Sequence, residues 1–593
     1  MPPTCRLPRR LVAIIGAALM SLSALAAEPA WVAKSNENAR LLLNVNAKYN
    51  PEDAGALGVE GLDDQIVDLA RDRYEERNKE VRAVIAELRK RLKTEPNARV
   101  RQDLEILIAR ATDQIESRRL ERKYFMPYYD LTGQLFGVMR DQLDPRVAPA
   151  RQKLLLARLE KYAGTAKGYR PITELAQERL RERLKADPKL IGPYKGTVEQ
   201  AISDAPTLLK GMRELLAKSG LKGWEAPFGK LEQQLSAYNA WLKTDVLARA
   251  RSDHRLPAEV YANKLRDYGV DVSPRELMAK ALTSFAEIRN QMQITAGLVA
   301  RERGFADPDY RAVIRELKKQ QIPGDKVMPL YAERLAAIEA AARAQHIVSL
   351  PERKAVIRLA SMAENAQQPA PHMNPPRMIG NTGEYGEFVL TTGMPPDASG
   401  KRLAFDDFTH QAATWTLTAH EARPGHELQF SRMIETGVST ARAVFADNSV
   451  NVEGWALYAE AEMQPFEPLD GQLLALQARQ MRAARAFLDP MVNLGEITPD
   501  QVKSFLMDEL VLSEGMATQE AQRYTFRAPG QATAYFYGYQ RLMETRQAAE
   551  VVLRKKFQRQ AFNDFVLDQG LLPPPLMRKA VMEEFVPAQL SRP

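Results

Sequence analysis

The residues of this chain best able to do chemistry lie in one heptapeptide, His420-Glu421-Ala422-Arg423-Pro424-Gly425-His426. The chain has six histidines, and His410, His420 and His426 fall close together. A hydrolytic metal ion takes neutral nitrogen and carboxylate donors and keeps one position for water. A helix commonly meets this need with two histidines four residues apart and a glutamate after the first. One turn then brings both rings to the metal, and the glutamate deprotonates the attacking water. Here Glu421 follows His420, but the next histidine is six residues on. On a regular helix that places His426 about 120° round and about 9 Å along from His420, out of reach of one ion. Pro424-Gly425 lies between them. The residue before a proline is biased out of the α region, and glycine permits the sharp backbone that a break needs. The segment is therefore read as a broken-helix variant of the motif. The same two histidines are also what a kinked helix packed by its caps would carry.

A second segment offers the third donor. Asn451-Val452-Glu453-Gly454-Trp455-Ala456-Leu457-Tyr458-Ala459-Glu460 reads as a helix with Glu453 and Glu460 on one face. Glu453 would complete a two-histidine, one-glutamate zinc ligand set, and Glu460 could steady a ligating histidine from behind. Two surface glutamates are the alternative, but Trp455 and Leu457 beside them argue for a half-buried helix. A third segment, Arg527-Ala528-Pro529-Gly530-Gln531 through Tyr535-Phe536-Tyr537-Gly538-Tyr539, is dense in phenols. Tyr535, Tyr539 and Arg527 are candidate donors to the oxyanion that forms during acyl transfer, although an aromatic stripe at helical spacing is more often core. No Gly-x-Ser-x-Gly elbow, phosphate-binding glycine loop or dinucleotide fingerprint accompanies them.

Together the three segments resemble the bacterial DUF885 family, as does the stretch from Pro257 to Leu277, and the likeness runs from about residue 40 to 585. The resemblance implies a large, mainly helical fold with a deep groove and a gluzincin-like metallopeptidase site. His420, His426 and Glu453 would then be zinc ligands, Glu421 the base and Tyr535 an oxyanion donor. Many family members carry a second histidine directly after the position of His426. Here that residue is Glu427. If the ligand belonged there, the protein would use a carboxylate or be impaired; His426 is the preferred ligand.

The elements that must position these residues are mostly helices. Apolar residues recur at three- and four-residue steps from Asp63 to Lys93, and again over Asn97–Arg122, Pro274–Arg303 and the segments after Asp407. Between about Pro369 and Ser399, prolines and glycines frame one strand-like run, Glu387–Thr392. It reads as an edge strand able to take up an extended peptide, or as a plain surface hairpin. The expected fold is mainly α, one large multi-helical unit with a small β hairpin or edge strand beside the active-site helix. Its regions divide as an N-terminal helical part (27–255), a middle helical part with the β segment (256–405) and a helical catalytic part (406–593).

Arg6, Arg9 and Arg10 precede an apolar run from Leu11 to about Ala24, and Ala24-Leu25-Ala26 fits a signal-peptidase site. Residues 1–26 are thus expected to be a signal peptide, too short to span a membrane and cleaved on export to the periplasm or beyond. The only cysteine, Cys5, would leave with it, so any metal must be held by His, Asp or Glu. The net charge of +8 would fall to +5. Basic and acidic residues are interleaved, as in Arg71-Asp72-Arg73-Tyr74-Glu75-Glu76-Arg77, which is the pattern of solvated helix faces and not of a nucleic-acid stripe. The expected partner is a short peptide substrate. A non-catalytic periplasmic binding or scaffold protein, or a zinc hydrolase of a non-peptide amide or ester, are the alternatives.

Overall fold

The computed structural model describes residues 29–391, 393 and 403–592. The expected signal peptide and Thr392 lie outside them. The chain is mainly α with one small sheet. No helix among the described residues is long and apolar enough to cross a membrane.

Three N-terminal helices, α1 (Ala30–Tyr49), α2 (Tyr74–Thr94) and α3 (Ala98–Tyr124), pack against one another. Their buried residues, among them Leu42, Val81, Leu88 and Leu104, share one core with Leu428, Met433, Trp455 and Tyr458. The first quarter of the chain is thus a wall of the C-terminal region. Arg442 and Asp103 pin that wall with a fully buried ion pair at 2.8 Å.

Helix α4 (Pro274–Arg303) shows how local chemistry sets the element. The Ser273 side chain caps it by accepting from Glu276 N, Pro274 occupies the first position, and Gly304 in the left-handed region ends it. Leu277, Ala281, Phe285, Ile288, Met292, Ala296 and Val299 form its buried stripe. Each large apolar side chain there is worth about 1.5–3 kcal/mol of transfer free energy. Helix α5 (Gly324–Ala344) follows, then the strands β1 (Val356–Leu359), β2 (His372–Asn374) and β3 (Glu387–Leu390).

The sheet corrects one expectation. The strand predicted at the edge, β3, is the central strand: β1 pairs parallel with it, Val356 opposite Glu387, and β2 antiparallel, His372 opposite Val389. Phe388, Val389 and Leu390 are accordingly buried, and Phe388 and Leu390 pack with Tyr331 and Leu335 of α5. The flanking strands have only four and three residues. That is too short to show the alternation by which a strand is read from sequence.

The remaining helices surround the chemistry: α6 (Ala413–Glu421), α7 (His426–Thr436), α8 (Ser449–Met463), α9 (Leu469–Leu494), α10 (Glu514–Gln522) and α11 (Thr533–Leu553). The apolar stripe of α4 lies along α9, with Phe285 edge-on to Phe487 at 5.5 Å. Helices α8 and α11 cross at two glycines, where a Cβ on Gly454 would come within 2.6 Å of the Gly538 backbone. A cavity of about 600 Å³ lies between the N-terminal wall and α7–α8, and a second, of about 940 Å³, is lined chiefly by residues 50–69, 129–172 and 374–384; the two share Phe430 and Asp447 as lining.

Candidate metal centre

The helix of the heptapeptide does break. The last α6 bond, Ala422 N to Thr418 O at 3.0 Å, leaves Ala422 at φ −97°, ψ −106°, and Gly425 turns at φ −76°, ψ −134° into α7. Gly425 is pressed onto the end of α6: a Cβ there would lie 1.9 Å from the His420 carbonyl oxygen and 2.4 Å from that of Ala419. Only glycine allows the chain to fold back so tightly. The Trp455 indole locks the turn from α8, donating to Pro424 O at 2.9 Å.

This return brings the two rings together. His420 and His426 meet edge to face with centroids 4.8 Å apart. Glu453 Oε2 lies 3.3 Å from His426 Nε2 and 3.6 Å from His420 Nε2. One ligand atom from each of the three residues lies within 4.8 Å of the others. Glu453 Oε1 accepts from the Gln531 amide at 3.4 Å, while Oε2 is buried with no hydrogen-bond partner, as is His426 Nδ1. Burial works to raise the Glu453 carboxyl, yet the two imidazoles beside it hold it well below the ordinary carboxylate range.

Behind His420 stands Glu460. The His420 Nδ1–H donates to Glu460 Oε1 at 2.6 Å, which turns Nε2 toward Glu453. Glu460 is itself held by Thr416 Oγ1 at 2.9 Å and Arg482 at 3.1 Å. Burial disfavours a charged His420, but the carboxylates of Glu453 and Glu460 beside it outweigh that and raise it to about 9. A cation binding at Nε2 displaces that proton.

Tyr535 stacks on His420, rings 15° apart and centroids 6.2 Å apart. The Arg485 guanidinium sits 4.4 Å over the phenol ring and is fixed by a two-pronged bond to Glu520 at 2.7 and 2.8 Å. Arg482 and Arg523 approach the same ring at 5.8 and 5.7 Å. Burial, then the Glu453 charge, raises the Tyr535 hydroxyl, so it stays protonated and able to donate. Glu421 ends α6, buried, and its charge reaches Tyr331 and His372.

The structure therefore gathers His420, His426, Glu453, Glu460, Glu421 and Tyr535. Other sequence candidates have partners elsewhere. Arg527 bonds to Gln522 at 3.0 Å, and Tyr539 lies under Arg479 at 5.7 Å. His410 lines a small cavity with Lys318 and Asp407, bordered also by Glu460 and Arg482, where burial, then Lys318, lowers it to about 4. Glu427 turns away from the cluster, fully buried between Arg423 at 2.7 Å and Arg353 at 2.6 Å. Sequence reading passed over Arg482 and Arg485, although their three-residue spacing puts both on one face of α9. Tyr331 and His372 come from segments with no local signal.

Fold and site together define a class: a mainly α protein whose broken helix and a following helix assemble two histidines and a glutamate. The chain belongs to the family described as "Bacterial protein of unknown function (DUF885)", whose model matches residues 51–581. No curated protein matches it. Among solved structures, a candidate lipoprotein from Colwellia psychrerythraea aligns with a TM-score of 0.76 at 17% identity, covering 94% of this chain and 100% of that one. A candidate lipoprotein of unknown function from Shewanella oneidensis aligns with a TM-score of 0.69 at 19% identity, covering 93% and 100%. At such identities the likeness is one of fold.

Proposed function

We propose that this protein is a zinc-dependent hydrolase of peptide bonds, acting on short peptides. The observation that carries the reading is the buried Glu453 Oε2, unanswered by any hydrogen bond and facing two imidazole nitrogens at 3.3 and 3.6 Å. A buried carboxylate oxygen without a partner is costly, and a divalent cation is the partner that two nitrogens and one oxygen would share. His420, His426 and Glu453 would hold it. Bound there, zinc would act as a Lewis acid on the substrate carbonyl and make water acidic enough to attack at neutral pH.

The chain's own residues supply the rest. Glu460 fixes the His420 ring through Nδ1 and keeps Nε2 aimed at the cluster. Glu421, next to His420, is the base that takes the proton of the attacking water and returns it to the leaving amine. Tyr535, protonated and stacked on His420, is the donor for the developing oxyanion. The arginine-flanked apolar segment at the N-terminus supports export, so the reaction is placed in the periplasm or outside the cell.

The test is metal content by mass spectrometry with peptide-library cleavage on the same preparations. About one zinc per chain is expected in the wild type, lost together with cleavage in His420→Ala, His426→Ala and Glu453→Ala. Glu421→Gln should keep the zinc and lose cleavage by about 10²–10⁴-fold. Zinc retained without cleavage in the wild type would point instead to a binding or scaffold protein.

A further inference from the structure

The lining of the smaller cavity, about 600 Å³, comes within one helical turn of His426 and Glu453. Phe430 lines it from α7, one turn beyond His426, and Ser449 lines it from α8, one turn before Glu453. The Gln531 amide ties wall to ligand, donating to Ser449 Oγ at 2.8 Å and to Glu453 Oε1 at 3.4 Å. Its volume suits one or two peptide residues.

The opposite wall carries Arg77 of α2, Arg110 and Arg118 of α3, and Lys264. Several buried guanidinium groups elsewhere are paired with a carboxylate, Arg423 with Glu427, Arg442 with Asp103 and Arg485 with Glu520, and buried Arg158 is answered by three neutral oxygens. Among the described residues, none of the four cavity cations makes an ion pair with any carboxylate. Arg77 donates only to Asn50 Oδ1 at 3.3 Å and Arg118 only to Asn78 Oδ1 at 2.9 Å. Arg77 Nε and Arg118 Nη2 are buried without partners. Burial, then the charge of Arg77, draws the Arg118 guanidinium down to about 10. The charge of Glu121, a carboxylate of the cavity, offsets this in part without bonding to either arginine. Asp267 accepts from Ser117 and Asn263, each at 3.0 Å, and Glu121 and Asp447 bond to neither arginine. Two guanidinium groups held side by side against their repulsion, with donors unanswered, are a receptor for an anion.

We propose that this cavity is the subsite for a carboxylate of the substrate peptide, received between Arg77 and Arg118; the inference rests on the hydrolase reading of the His420, His426 and Glu453 cluster. The shared chemistry is a carboxylate within one or two residues of the scissile bond, either the C-terminus or an acidic side chain.

Calorimetric binding to the Glu421→Gln protein tests it, using tetra-alanine with a free C-terminus, its C-terminal amide, and the amide with glutamate at the third position. A carboxylate-bearing peptide should bind about tenfold or more tightly than the alanine amide, as a charge-assisted contact implies. Tight binding of the free acid alone assigns the C-terminus; tight binding of the glutamate amide assigns a side chain. In R77Q/R118Q the ratio should fall to about one, with the alanine amide bound as before. Should that double variant fail to fold, R77Q and R118Q singly carry the test, each lowering the ratio. Equal affinity for all three peptides, or a ratio unmoved in the variants, overturns the proposal. Carboxylate selectivity without hydrolysis in the wild type would remove the hydrolase reading and leave the receptor. Hydrolysis without selectivity would do the reverse.

Discussion

Glu460 decides what His420 can do. A neutral imidazole can present either nitrogen as its lone-pair donor, and Glu460, accepting from Nδ1–H at 2.6 Å, selects Nε2. Thr416 and Arg482 hold the carboxylate in place, so replacing it loosens ring and ligand together. Glu460→Gln is expected to weaken zinc binding by about 10–100-fold while leaving the fold intact, measured by competition with a chromogenic chelator. An unchanged affinity would mean the ring is oriented by its packing against Tyr535 instead. The same scale explains Glu427. Successive residues on a helix point about 100° apart, so when His426 faces the cluster its neighbour faces Arg423 and Arg353.

Glycines carry the logic of the elements. Gly425 lets α7 fold back onto the carbonyls that end α6, and Gly454 and Gly538 let α8 and α11 cross in backbone contact. The last two belong to the second and third chemical segments of the sequence, so those segments meet glycine to glycine, with Glu453 and Tyr535 close to the contact. A Cβ at position 538 would come within 2.0 Å of Val450 O. Gly538→Ala should therefore force the helices apart, cost about 2–3 kcal/mol of stability and weaken zinc binding as Glu453 shifts. Thermal melting and zinc titration of the same variant check both effects, and a wild-type melt with wild-type affinity would refute the crossing.

At the scale of the whole molecule, single cores join helices far apart along the chain. Residues from α1–α3 and from α7–α8 share one core, and α4 shares another with α9 and α11. Asp489, buried in α9, is a knot between these parts: it accepts from the Tyr261 hydroxyl at 2.9 Å and from Gly530 N at 2.9 Å. Burial outweighs those bonds and raises its carboxyl from 3.8 to about 7. Because the folded value lies above the unfolded one, the native state holds a proton the unfolded chain has released. The stability this confers is complete below about pH 4 and is lost as pH rises toward 7, a change on the order of 4 kcal/mol. Melting temperature from this group should fall across that window, and Asp489→Asn should flatten the fall. A variant with the wild-type slope would place the titration elsewhere.

Residue type and spacing were enough to mark His420, His426 and Glu453 as residues that could meet, Glu460 as a partner of His420, the helices and the break between His420 and His426. Each of these is local, since proline, glycine and periodic apolar residues act on the backbone within a turn or two. The central place of β3, the partners that draw Arg527 and Tyr539 away from the cluster, and the arginines around Tyr535 came only from tertiary packing. The clearest case is Arg77. Its neighbours in sequence are those of a solvated helix face, and Arg73 and Glu76 do pair on that face at 2.8 Å. Yet α2, packed beside α3, sets Arg77 next to Arg118 over a partly open cavity. A charge owes its chemistry to its surroundings, and here those are made by segments far apart along the chain.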